Sequence, residues 1–208
     1  MSLVYNIFYM KIKKLYQAVW LLSIWILLFS CVSSSSTREP AVVETTGDAE
    51  YLENIDFVIF NKRGMVIRRE VYEYSGGAHG MGAVQYLVID LADKRLLKLD
   101  DFFREGTEER LYSILVSALR SYNNSHSGTV LEDNQGLSQG IFFTDNPALT
   151  ENFFIANDGL GLNWDRYEIA PFYAGSIEVI LPWRTIRPLL KHEMMELLEK
   201  FGIYMFMD

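Results

Sequence analysis

Two short segments of this 208-residue chain carry side chains that could bind a ligand or transfer a proton. In residues 75–82 a histidine, His79, stands among four glycines, a composition that permits positive φ angles or a close approach to another surface. In residues 167–175 a glutamate, Glu168, lies among aromatic side chains. His79 and Glu168 could act as an acid/base pair, and the aromatic rings could stack on sugar faces. The candidate ligand-binding residues are Gly76, Gly77, His79, Gly80, Tyr167, Glu168 and Pro171.

Each of these side chains also has a purely structural interpretation. His79 could make a single structural hydrogen bond, and Glu168 could accept backbone N–H groups in a sharp turn. The neighbouring aromatic residues could fill the core, where aromatic side chains of a small domain contribute much of the burial. The Asp100-Asp101 step indicates a metal ion only weakly, since a helix or turn start explains it as well. No catalytic residue, metal site or cofactor is predicted.

The residue inventory favours a binding module over an enzyme. The sequence contains no His-Glu-x-x-His, phosphate-loop or paired-cysteine pattern, and its three histidines are scattered. One cysteine excludes an intramolecular disulfide framework. A hydrolase that uses His79 and Glu168 remains an alternative, and a structural or assembly protein is a third.

Hydrophobic periodicity predicts an α+β domain with a mainly antiparallel sheet and two principal helices packed on it. The strand with apolar residues on both faces, 84–89, is expected to be central and covered on both sides. Asn157-Asp158-Gly159 is expected to close a hairpin with positive φ angles, and Thr107 to cap the first helix. Residues 123–139 are polar and are predicted to form a mobile loop. The predicted strands are 55–61, 66–74, 84–89, 96–99, 152–156, 160–164 and 177–181, and the predicted helices are 108–122 and 185–201.

The first 50 residues resemble the leader and tether of a bacterial lipoprotein. Three lysines precede an almost wholly apolar run over residues 15–30, and Leu28-Phe29-Ser30-Cys31 resembles a lipobox. Residues 1–30 are therefore predicted to be a signal peptide, Cys31 to carry diacylglycerol and palmitate, and 31–50 to be a flexible tether before a domain at 51–208. An uncleaved signal anchor is the alternative, and translation could start at Met1 or Met10.

The charge balance excludes broad nucleic-acid binding. The net charge is −8, whereas nucleic-acid binding needs a basic face. Without the three leader lysines, 16 basic side chains face 27 acidic ones, a net charge of −11. Such a domain is not held on an anionic membrane by charge, so the lipid would have to anchor it. The acidity could also favour a cationic partner, although a solubilising surface explains it too.

The strings Gly76-Gly77-Ala78-His79-Gly80 and Tyr167-Glu168-Ile169-Ala170-Pro171, with residues 90–91 and 98–103 between them, resemble the RsiV-like family of bacterial extracytoplasmic domains. The resemblance covers most of residues 51–190, with Ser75 and Arg166 as small departures. It implies an extracytoplasmic binding module, which is a lysozyme receptor in the anti-sigma members and also occurs beside the catalytic domain of peptidoglycan deacetylases. An anti-sigma role is not expected, because at most 14 residues precede the apolar run.

The sequence therefore predicts a non-catalytic envelope lipoprotein on the extracytoplasmic side of a membrane. Its domain is expected to bind a cell-wall glycan or a lysozyme-like protein, with the membrane contacted through the lipid anchor.

Overall fold

The computed structural model describes residues 44–46 and 49–204, which contain two antiparallel sheets and three α-helices. The predicted leader, Cys31 and most of the predicted tether lie outside these residues. The first sheet has five strands in chain order: β1 (Glu44–Thr46), β2 (Ala49–Phe60), β3 (Gly64–Tyr74), β4 (Met81–Asp90) and β5 (Arg95–Leu96). The second sheet has three: β6 (Phe153–Ile155), β7 (Gly159–Trp164) and β8 (Ile177–Pro182).

The first helix lies between the two sheets along the chain, and the other two helices follow the last strand. The helices are α1 (Glu108–His126), α2 (Trp183–Ile186) and α3 (His192–Lys200), and the 3-10 turns include Leu99–Asp101, Leu137–Gln139, Phe172–Ala174 and Arg187–Leu189. Within the described residues, no helix combines the length and hydropathy needed to cross a bilayer. The α+β class and the antiparallel pairing are confirmed, with two sheets in place of one.

The core lies around the second sheet and the helices. The buried face of α1 presents Leu111, Leu115 and Leu119 at intervals of four residues, the spacing of one helix face, and α1 packs on β8. Every residue of β7 is buried, because β6 and β8 flank it and both of its faces are covered. The large hydrophobic residues of α2 and α3 join the same cluster.

Side chains, rather than another strand, join the second sheet to the edge of β4. The Asn152 amide accepts a hydrogen bond from the Tyr86 N–H (2.8 Å) and donates one to the Val84 carbonyl (2.6 Å). The Asp165 carboxylate accepts the Val84 N–H (2.8 Å). These bonds replace the ladder that a neighbouring strand would provide at Val84 and Tyr86, whereas β5 pairs with the same edge only at residues 89 and 90.

Several local predictions are wrong, each for a physical reason. The predicted second helix breaks after Ile186, because Pro188 supplies no N–H and the Lys191 N–H bonds the Phe102 carbonyl in an extended segment. The Thr107 side chain caps nothing and instead donates to the Arg104 carbonyl (2.6 Å). The hairpin over residues 153–164 is confirmed, but none of its turn residues 157–159 has a positive φ.

The predicted mobile loop also differs from the structure. Helix α1 continues to His126, and the chain beyond it buries Leu131 and Leu137. The fully buried Asn123 holds that segment, since its amide accepts the Ile141 N–H (3.0 Å) and donates to the Thr129 carbonyl (2.7 Å). Within residues 31–50, β1 and the start of β2 already form a hairpin.

The exposed apolar side chains of the first sheet are concentrated on β2. Register places Phe57 and Ile67 opposite one another on one face, and Val58 and Val66 on the other. Ile67 and Val66 are buried, whereas Phe57 and Val58 are 58% and 56% exposed, so the exposure belongs to the edge strand and not to one face of the sheet. The expectation that the strand 84–89 is covered agrees with the structure in that none of its residues is exposed, and the exposed Met81 lies before this segment.

Candidate functional site

The loop between β3 and β4 presents His79 on a glycine-dependent backbone. Gly76 and Gly77 have φ angles of 93° and 111°, which residues with a side chain rarely adopt. The Tyr74 hydroxyl donates to the Gly77 carbonyl (2.9 Å), which fixes the loop from within. At Gly80 a Cβ would lie 2.4 Å from the Tyr72 ring, so the close approach of that ring requires glycine. His79 itself is exposed.

The loop between β7 and β8 folds back on itself through Glu168. The Glu168 carboxylate accepts the Asp165 N–H (2.8 Å), and the Glu168 N–H donates to the Asp165 carbonyl (3.1 Å). Ile169 and Ala170 are buried and anchor the loop to the core. Pro171 then begins the 3-10 turn Phe172–Ala174 with φ −63°, the angle that its ring favours.

Tyr167 lies within the turn formed by residues 165–168, with a left-handed backbone conformation. Its φ is 67°, an outlier for a bulky residue and costly by about 1–2 kcal/mol. Its ring is nevertheless 53% exposed, so core packing does not explain the strain. Strained residues that are retained at a surface are concentrated at binding and catalytic sites.

The two loops meet at Phe172. The His79 imidazole stacks on the Phe172 ring with centroids 3.8 Å apart and an interplanar angle of 19°. The Tyr167 ring lies 5.6 Å from Phe172, and the Arg166 guanidinium lies 5.3 Å from its centroid. We call His79, Arg166, Tyr167, Phe172 and the adjacent Tyr173 the aromatic cluster. Tyr173, next in the chain and 78% exposed, adds a second open ring to it.

The structure thus brings together the two segments that the sequence singled out. His79, Tyr167 and the Pro171 turn come together around Phe172, and Gly76, Gly77 and Gly80 shape the loop that holds His79. His79 and Glu168 are not joined by a hydrogen bond, because Glu168 bonds within its own turn and His79 stacks on Phe172. Of the aromatic residues, Trp164 is in the core and donates to the Ala148 carbonyl (3.0 Å), while Tyr167 and Tyr173 are exposed.

One sequence motif typical of hydrolases was missed among the motifs considered above. Gly136-Leu137-Ser138-Gln139-Gly140 has the spelling Gly-x-Ser-x-Gly, in which a strand-to-helix turn exposes a nucleophilic serine. Here the segment forms a 3-10 turn, and the Ser138 hydroxyl donates to the Asp145 carboxylate (2.6 Å). The bonds from the Ser138 hydroxyl and N–H lower the pKa of Asp145. At Gly136 a Cβ would lie 2.2 Å from Asp145, so the first glycine has a packing role.

No group of three or more histidine, cysteine, aspartate or glutamate side chains that could hold a metal ion occurs in residues 44–46 and 49–204. The Asp100-Asp101 step forms the 3-10 turn Leu99–Asp101, where the Asp101 carboxylate accepts the Lys98 N–H (2.8 Å) and bonds Arg95. Its role in the fold is therefore that of a turn start.

The chain is similar to known proteins in sequence and in fold. Residues 100–184, less than half of the chain, match the family model described as "Protein of unknown function (DUF3298)". The matched segment includes α1 and the Tyr167 loop. It begins at residue 100, after the His79 loop, and so leaves that loop out. It therefore covers one of the two loops that form the aromatic cluster.

Among curated proteins, the chain is similar to the peptidoglycan-N-acetylmuramic acid deacetylase PdaC of Bacillus subtilis (strain 168), with 24% identity over 142 residues. The alignment covers 67% of this chain and 29% of the deacetylase, so the chain spans less than a third of that protein.

Two solved structures share the fold. A DUF3298-family protein from Bacteroides fragilis aligns with a TM-score of 0.59 and 29% identity, covering 72% of this chain and 58% of that one. A DUF3298-family protein from Pseudomonas aeruginosa aligns with a TM-score of 0.52 and 17% identity over 69% of this chain and 63% of that one.

Proposed function

We propose that the domain is a non-catalytic binding module of a bacterial envelope lipoprotein, and that its aromatic cluster binds a cell-wall glycan. The observation that carries the proposal is Tyr167, an exposed aromatic ring held at a strained φ of 67° beside the stacked His79 and Phe172. A backbone strain that lowers stability and leaves an aromatic ring in solvent is expected where that ring contacts a ligand.

The chemistry of the cluster suits a sugar chain. The C–H faces of pyranose rings pack on aromatic faces, and Tyr167 and Tyr173 offer two such faces with hydroxyl groups at their edges. Arg166 and the exposed Glu168 can donate to and accept from sugar hydroxyls around them. A few polar groups around an apolar contact surface are typical of small-ligand sites.

The similarity to PdaC supports a cell-wall ligand in particular. That protein is named as a peptidoglycan deacetylase, and this chain aligns with 29% of it. The RsiV-like resemblance of the two loop motifs likewise implies an extracytoplasmic binding module. Under this proposal, the shared part recognises peptidoglycan and performs no reaction on it.

The location is part of the same proposal. Cleavage before Cys31 and acylation of its thiol would place the domain outside the cytoplasmic membrane, held by two or more acyl chains. Mass spectrometry of the mature N-terminus tests this directly. A diacylglyceryl-modified Cys31 is expected, and an unmodified cysteine or an intact leader would contradict the anchor.

The binding experiment uses the full-length chain in detergent and insoluble peptidoglycan. Saturable co-sedimentation without release of soluble products is expected. We expect Tyr173→Ala to weaken retention about tenfold, or about 1.4 kcal/mol, a usual cost for an aromatic contact residue. The control is Tyr204→Ala, which removes a tyrosine that is also exposed but lies outside the cluster. Product release that His79→Ala abolishes would instead establish the hydrolase alternative.

A cationic, lysozyme-like protein is the second candidate ligand, favoured by the net charge of −8. Charge attraction of this kind speeds association and weakens with salt. Binding of lysozyme by the same chain, lost on Tyr173→Ala and with no retention on peptidoglycan, would assign the cluster to the protein partner.

A further inference from the structure

The outer edge of β2 is open over most of its length. β1 pairs with β2 only at Ala49, Glu50 and Tyr51, and β3 occupies the opposite edge. Among the described residues, no strand pairs with residues 52–60 on the β1 side. A row of backbone N–H and C=O groups there faces outward, which is the arrangement that accepts an added strand.

This edge is apolar on both faces. Within Ile55–Phe60, only Asp56 is polar, and four side chains are half or more exposed: Ile55 50%, Phe57 58%, Val58 56% and Ile59 50%. Val58 and Phe60 also line a groove toward the second sheet, together with Phe154 and Ala156. An added strand would therefore cover apolar side chains on both sides of the sheet.

The usual protections of an edge strand are missing. Residues 55–60 contain no lysine, proline or glycine. The one charge, Asp56, is compensated within the chain, since its carboxylate accepts the Asn54 amide (2.9 Å) and lies 3.9 Å from Arg68. No unpaired charge on this segment would oppose a second apolar strand.

The chain's own N-terminal residues do not fit this position. The β1 register sets Glu44 opposite Tyr51, so a continued β1 would set Pro40 opposite Ile55. Proline has no N–H to donate, so it weakens a ladder wherever its nitrogen faces the neighbouring strand. Pro40 therefore disfavours a continuation of β1 along the apolar segment.

A second copy of the same strand fits in self-complementary fashion. Antiparallel pairing about a two-fold axis at Phe57 sets Phe57 against Phe57 and Ile55 against Ile59, with the corresponding faces of the two sheets on the same side. Asp56 would lie opposite Val58, so no like charges meet. We propose that Ile55–Phe60 is a homodimer interface, through which two copies join β2 to β2 in one continuous sheet.

The expected dimer is weak. The five residues 55–59 that pair with one another extend about 17 Å, and covering their exposed side chains removes on the order of 400–500 Å² per copy, at the lower end for specific interfaces. A reversible dimer that dissociates on dilution is therefore expected.

The first test is the oligomeric state of the full-length chain in detergent, measured by sedimentation over a concentration series. The wild type is expected to pass from monomer to dimer, and Phe57→Lys to stay monomeric with an unchanged circular dichroism spectrum. Val130→Lys is the control, because Val130 is also an exposed apolar residue (67%, against 58% for Phe57) but lies in a loop outside the strands. A wild-type monomer at every concentration, or a dimer that survives Phe57→Lys, overturns the proposal.

The second test locates the contact with a short thiol-reactive cross-linker. The one native cysteine, Cys31, sets the background in the wild-type chain. Phe57→Cys is expected to add a strong cross-linked dimer band, and Val130→Cys to add none. Equal bands from both variants would contradict the interface. A chain that dimerises only after residues 205–208 are removed would also contradict it, because the C-terminal residues would then occupy the edge of β2.

Discussion

The Asn152 side chain connects the two sheets by hydrogen bonds, so its removal should lower the stability of the fold. Its side chain accepts the Tyr86 N–H at 2.8 Å and donates to the Val84 carbonyl at 2.6 Å, where a neighbouring strand would otherwise pair. In Asn152→Ala both backbone groups of β4 lose this partner. The Val84 carbonyl keeps a longer bond from Asn163 (3.5 Å), whereas the Tyr86 N–H loses its partner on that edge.

The magnitude follows from the two groups. An unsatisfied, partly buried donor costs about 1–3 kcal/mol, and the weakened carbonyl bond adds about 0.5–1 kcal/mol. We expect Asn152→Ala to lower the free energy of unfolding by about 2–3 kcal/mol, which for a domain of this size lowers Tm by about 5–10 °C.

The assay is urea denaturation of the full-length chain, with Asn157→Ala as the control. Asn157 is exposed in the turn of the adjacent hairpin, and its substitution should change stability by less than about 0.5 kcal/mol. If the two variants are equally stable, the side-chain bonds do not hold the sheets together, and the description of this connection is wrong.

Three further predictions concern the fold. Burial, together with the negative charge of Glu178, raises the pKa of Tyr86 from 10.0 to about 12. Because the tyrosine of the unfolded chain loses its proton at lower pH than that of the folded chain, the free energy of unfolding should fall by about 1–2 kcal/mol between pH 10 and 12. Denaturation of Tyr86→Phe should lack this loss. Gly77→Ala should cost about 1–2 kcal/mol in thermal unfolding, because φ is 111° while a Cβ would meet nothing within 4 Å; an unchanged Tm would refute the backbone argument. Asn123→Ala should cost about 2–4 kcal/mol by leaving the Ile141 N–H and Thr129 carbonyl without their partner, and wild-type stability would show that this segment is held otherwise.

Local patterns in the sequence were enough to predict most elements of the fold. The spacing of Leu111, Leu115 and Leu119 identifies α1, and alternation and turn residues identify the hairpin of β6 and β7. The last four residues of α1 were missed because Asn123 and the polar residues after it have low helix propensity, while the fold uses Asn123 as a buried bonding partner.

Contacts between distant residues could not be predicted in this way. Nothing in the local sequence indicates that Asn152 replaces a strand beside β4, or that Leu190 pairs with Phe103, although Pro188 is a local signal for the break in the predicted helix. These partners are distant in sequence, and only the tertiary structure brings them together.

The candidate site shows the same division. The glycines around His79 and the Tyr-Glu-Ile-Ala-Pro string mark two unusual loops in the sequence. That Phe172 supports His79, and that Tyr167 is exposed at a positive φ, depends on how the loops meet. The favoured sequence interpretation of the aromatic residues as core holds for Trp164 but not for Tyr167 and Tyr173.

The most direct measurement of the proposed function is to compare stability and peptidoglycan binding in Tyr167→Gly. Glycine adopts a φ of 67° without strain, so the free energy of unfolding should not fall, whereas affinity for peptidoglycan should drop about tenfold once the ring is gone. Unchanged affinity in this variant would contradict the assignment of the aromatic cluster as the glycan site.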